Sequence, residues 1–144
     1  MSDYAILDGD QAVFMPAFGV AVVAVRPGRV MGTGITSLMG KKICVKGDET
    51  KLMVPGCVYT TPIYSIPGVG TLKINALGGN QTSKKTKSGG KEIIVKGSTF
   101  TAVFEVQTPA QQPPQGPTPP VPDATPQYSG NGNFITTNTK FKVG

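Results

Sequence analysis

Eight residues recur almost unchanged fifty positions apart, and no other feature limits the possible folds as much. Gly40-Lys41-Lys42-Ile43-Cys44-Val45-Lys46-Gly47 aligns with Gly90-Lys91-Glu92-Ile93-Ile94-Val95-Lys96-Gly97, six of the eight positions being identical. A weaker third copy closes the chain. There Gly130-Asn131-Gly132 followed by Lys140-Phe141-Lys142-Val143 parallels Gly32-Thr33-Gly34 followed by Lys42-Ile43-Cys44-Val45. The unit therefore recurs near residues 40, 90 and 140. Each copy joins a glycine-bounded turn to a short β-rich run and a second glycine. Fixed-period similarity implies supersecondary units that bury their apolar faces on one another. Three such units can close around an axis. The expectation is an all-β, compact, cone-like body of short strands with an approximate threefold internal repeat. A flat meander or a small barrel fits less well, since neither needs the number three.

Composition supports strands and turns. Nineteen glycines and thirteen prolines in 144 residues approach the range of low-complexity chains. The valines, isoleucines and threonines between them come in short alternating runs, which is the pattern of strands. No long window carries apolar residues at helical spacing. The length suits one domain, residues 1–144. Residues 108–127 read as a polyproline II linker. Because they lie between the second and third copies, they are expected to form a strap that returns along the surface of the same body.

Several chemistries are disfavoured. The chain has no histidine, so the usual serine and cysteine nucleophiles lack their general base. Its eight carboxylates are scattered, with no spacing that pairs an acid with a base. Gly68-Val69-Gly70 has no helix after it and fails as a phosphate loop. Hence no catalytic, cofactor-binding or metal-binding residue is assigned, and an enzyme is not expected. Cys44 and Cys57 are too few for a disulfide scaffold. Neither a signal peptide nor a membrane-spanning stretch is visible, so synthesis in the cytoplasm is expected.

The net charge of +6 is carried mainly by lysine, ten lysines lying between Gly40 and Gly97 against Asp48, Glu49 and Glu92. Two readings follow: a solvated basic face, or a nucleic-acid-binding β domain using the hairpin of residues 84–91. That hairpin has no aromatic residue on which a base can stack. Stable nucleic-acid or membrane binding is accordingly not expected. The run from Phe14 to Val25 is apolar on both alternating faces. Either the chain covers both faces itself, or a partner covers one. The partner-binding candidates are Phe14, Phe18, Val20 and Val22.

The stretch Thr33-Gly34-Ile35-Thr36-Ser37-Leu38-Met39-Gly40-Lys41-Lys42-Ile43-Cys44-Val45-Lys46-Gly47-Asp48 resembles the repeat of PAAR-type spike-tip proteins of contractile injection systems. Gly40, Lys41, Gly47 and Asp48 stand at the matching ends of that motif, and Leu7-Asp8-Gly9-Asp10 is similar to its opening segment. The Pro-Ala-Ala-Arg tetrapeptide is replaced by Lys42-Ile43-Cys44-Val45. The three histidines that join a cysteine around the family's zinc are absent, and Cys57 falls only loosely where the cysteine would. The resemblance implies a cone whose base sits on a homotrimeric spike of valine-glycine-repeat type and which can help carry toxin cargo. It also implies a protein monomeric by itself, assembled at the tip of the particle and delivered outside the cell.

Overall fold

The computed structural model describes residues 3–38, 40–114, 116–117, 119–136, 138 and 142–143. In chain order the strands are β1 (Asp3–Tyr4), β2 (Gln11–Phe14), β3 (Ala17–Phe18), β4 (Ala21–Val23), β5 (Gly28–Arg29), β6 (Ser37–Leu38) and β7 (Lys41–Lys42). A 3-10 turn, Asp48–Lys51, leads into β8 (Met53–Thr60), β9 (Gly68–Ala76), β10 (Thr82–Ser88) and β11 (Lys91–Ile94). Then come β12 (Phe100–Thr108), β13 (Gln111–Gln112), β14 (Val121–Pro122), β15 (Gln127–Ile135) and β16 (Lys142–Val143). The body is all-β, as the sequence predicts.

Two assemblies share these strands. The larger is an antiparallel sheet of eight strands in the order β3-β4-β8-β9-β12-β15-β2-β5. It curls into a half-barrel because residues 11–18 enter it twice. They pair with β15 as β2 and, past Met15 and Pro16, with β4 as β3. The Met15 amide bridges the bend by donating to the Asn131 carbonyl at 2.9 Å. Aromatic rings fill the concave side. Phe100 packs against Phe14 at 5.6 Å and Phe134 at 5.0 Å, and Phe104 packs against Phe18 at 6.2 Å and Tyr59 at 5.2 Å.

This sheet corrects one reading of the repeat. Gly130 and Gly132 lie within β15, not in a turn. A Cβ at Gly130 would come within 2.6 Å of the Phe18 ring, and one at Gly132 within 2.6 Å of Phe100. Glycine is required there because aromatic rings occupy the space a side chain would need. A curled barrel-like sheet, held to suit the repeat poorly, is thus the larger part of the fold.

Residues 108–127 carry the chain from β12 to its neighbour β15. They do so as a hairpin rather than a single extended ribbon, β13 pairing with β14. At its base, Asp123 donates its amide to the Ala110 carbonyl at 2.8 Å.

Candidate functional site

The smaller assembly is a ring of three short segments, residues 5–7, 43–45 and 93–95. Isolated bridges join them in a circuit: Leu7 with Ile43, Val45 with Ile93, and Val95 with Ala5. Three backbone hydrogen bonds run one way around it. The Ile6 amide donates to Ile94 O at 2.9 Å, the Ile94 amide to Cys44 O at 3.0 Å, and the Cys44 amide to Ile6 O at 2.9 Å. Three more run the other way, from Asp8 to Lys42 O at 2.7 Å, Lys46 to Glu92 O at 2.8 Å, and Lys96 to Tyr4 O at 2.9 Å. Every one of the six bonds has two counterparts related by a threefold turn. A closed ring leaves no strand edge unpaired within it.

Side chains follow the alternation of strands. Ile6, Cys44 and Ile94 join the main core, while Ala5, Leu7, Ile43, Val45, Ile93 and Val95 form a second core with Leu38 against it. All six of the latter are at most 3% exposed.

Each ring segment is the inner arm of a hairpin, and the three hairpins share one register. Lys42 stands opposite Ser37, Glu92 opposite Lys87, and Tyr4 opposite Lys142. One step further out, Lys41 faces Leu38, Lys91 faces Ser88, and Asp3 faces Val143. The copies near residues 40 and 90 are the second and third around the ring, and the first is therefore divided between the two ends of the sequence. Residues 3–7 supply its inner arm, while β16 supplies an outer arm. This corrects the sequence reading, in which residues 140–143 were the counterpart of 42–45. Residues 139–141 lie outside the described residues. Phe134, which lies in sequence between the two matched segments of that copy, fills the half-barrel.

The turns leaving the ring explain the Gly-Asp pairs. Gly9, Gly47 and Gly97 have φ of +88°, +108° and +53°, a region that other residues enter at a cost. That conformation returns the following carboxylate to the ring. Asp10 Oδ2 accepts from the Leu7 amide at 2.7 Å and Asp48 Oδ2 from the Val45 amide at 2.9 Å. Each aspartate also accepts a threonine hydroxyl at 2.5 Å, Asp10 from Thr136 and Asp48 from Thr33. In the third copy Ser98 stands in that place, and the Val95 amide donates to Gln81 O at 2.9 Å instead. The signal for the N-terminal copy was Leu7-Asp8-Gly9-Asp10; its Tyr4-Ala5-Ile6 stretch shares little identity with the other two.

The four partner-binding candidates separate. Phe14 and Phe18 are core residues at 2% and 0% exposure. Val20 and Val22 are 66% and 60% exposed, on the opposite face of the same hairpin. Only this second pair is placed where another molecule can touch it. The basic run of residues 84–91 forms a hairpin, β10–β11, with an exposed tip at Gly89 and Gly90.

The donors for a zinc of the kind the resemblance implies do not fit. Cys44 and Cys57 are both buried and unpaired in any disulfide. Burial, together with the charges of Asp48, Asp10 and Asp8, pushes the Cys44 thiol far above its usual range. Those aspartates face backbone amides, and among the described residues no three His, Cys, Asp or Glu cluster as ligands. No helix among the described residues is long and apolar enough to cross a membrane.

Fold and site together define a small all-β protein in which a curled sheet is joined to a pseudo-threefold ring. The whole chain, residues 1–144, matches the family of contractile injection system spike tip proteins, and it belongs to that family. No individual curated protein matches it. Membership makes it a structural component associated with the spike of a contractile injection system.

Proposed function

We propose that one copy of this chain caps a homotrimeric spike of valine-glycine-repeat type and gives the particle a rigid point for membrane puncture. Residues 1–144 act as a single spike-tip domain, with residues 108–127 as a strap closing it. The observation that carries this reading is the circuit of six ring hydrogen bonds, which gives one chain three pseudo-equivalent arms. A trimer end presents three identical chains, and a single partner meets them all on equal terms only if it is itself close to threefold. The protein would be made in the cytoplasm as a monomer, mounted during assembly, and carried out with the particle, with toxin cargo joined to it in some systems. Native mass measurement of the complex with a purified spike trimer tests the stoichiometry. One tip per three spike chains is the expected result; three tips per trimer would refute it.

A further inference from the structure

Resting on that docking reading, the charges on the three hairpins specify the surface they meet. The shared register places Lys41, Lys91 and Asp3 at one pseudo-equivalent position. Lys46, Lys96 and Asp8 occupy another, each donating its amide to the neighbouring ring segment. Lysine thus fills two of three copies at both positions, and all four lysines are exposed.

Three acids of this region are buried. Asp10 and Asp48 are each 3% exposed and engaged by ring amides, and Glu49 is buried beside them. Asp8 is half-buried and accepts from the Gly32 amide at 2.8 Å. Glu92 is half-buried opposite Lys87, so Lys41, Lys46, Lys91 and Lys96 are the excess outward charge of the second and third copies. The first copy is different: its outer arm sets Lys142 over the Tyr4 ring at 4.8 Å.

We infer that the spike end receiving this body carries a ring of carboxylates, one set on each of its three chains. A symmetric trimer repeats any charge three times. Two of those repeats would meet Lys41 with Lys46 and Lys91 with Lys96, and the third would meet the lysine-poor first copy. Attraction of this kind speeds encounter, disfavours wrong partners and is screened by salt.

The test uses the full-length protein and the purified spike trimer of the same injection system, titrated calorimetrically at about 0.05 M and about 0.5 M sodium chloride. The dissociation constant should rise about tenfold or more with salt, and the Lys41→Glu/Lys91→Glu double variant should lose a similar factor at low salt. Both substitutions fall on exposed side chains, so an unchanged melting curve verifies the fold. Asp3→Lys, which puts lysine at that register in all three copies, should tighten binding. An affinity indifferent to salt and charge reversal, with one tip per trimer, would overturn the carboxylate ring and leave the docking reading standing. No complex at either salt would remove both. A parallel arm uses vesicles of anionic phospholipid. Capture of the parent protein but not of the double variant, alongside salt-insensitive spike binding, would reassign the lysines to a membrane surface and overturn the inference.

Discussion

Asp123, at 5% exposure, gathers three donors around one carboxylate at the foot of the proline-rich hairpin. Tyr59 and Tyr128 hydroxyls donate to Oδ2 at 2.9 and 2.6 Å, and the Thr125 amide donates to Oδ1 at 2.9 Å. The Tyr59 oxygen in turn accepts the Ala110 amide at 2.9 Å, so both feet of the hairpin are tied to the barrel wall. Burial by itself would raise the Asp123 carboxyl, but the bonds from Tyr128, Thr125 and Tyr59 outweigh it and hold the group below its ordinary 3.8. A depressed carboxyl stabilises the fold above its unfolded value and loses that contribution as pH falls through the folded one. Tyr59 has the opposite sign. Burial pushes it up to about 12, so its contribution is complete below pH 10 and fades as pH rises toward that value. Asp123→Ala should cost about 1–3 kcal/mol and flatten the acid limb of a plot of Tm against pH, since it takes the acceptor from the buried Tyr59 hydroxyl and the half-buried Tyr128 hydroxyl. Elsewhere, Phe18→Ala should cost about 3–5 kcal/mol, while Val22→Lys should stay within about 0.5 kcal/mol by chemical denaturation. The sequence could not tell these two residues apart. A run apolar on both faces carries no label for which face the barrel will enclose.

At the scale of the element, the hairpin assembled from β1 and β16 is the part most exposed to experiment. Its strands pair over only two positions, Asp3 with Val143 and Tyr4 with Lys142. Ending the chain after Asn138 would remove the outer arm and spare the side-chain bond from Asn138 Nδ2 to Ala5 O at 3.1 Å. The half-barrel should stay folded, amide exchange at Ile6 and Lys96 should speed up, and capture by the spike should be lost. Ending it after Tyr128 is a different injury. That cut removes most of β15, which lies between β12 and β2, and should leave insoluble protein. Two of the three hairpins were legible because near-identical residues recur at a fixed offset. The third was hidden because its arms come from opposite ends of the sequence, where no linear comparison sets them side by side. The half-barrel left a fainter trace still. Its closure depends on one strand bending at Met15 and Pro16, and its glycines answer to rings far away in sequence.

The whole molecule joins a closed ring to a curled sheet through Ile6, Cys44 and Ile94, ring residues whose side chains lie in the main core. Cys44→Ile copies the third segment's Ile94 at the matching position and should be tolerated, at about 1–3 kcal/mol if the added volume strains the centre. Chelator should leave the melting temperature unchanged, because among the described residues no three His, Cys, Asp or Glu cluster as metal ligands. A metal-dependent Tm would refute that. Consider last what the circuit of ring bonds does to a blow delivered along its axis. A lone hairpin pulled from one end opens like a zip, each bond failing in its turn. A hoop has no end from which to start. Load on any segment is handed to its two neighbours, so all three junctions of the girdle share it before any one of them parts.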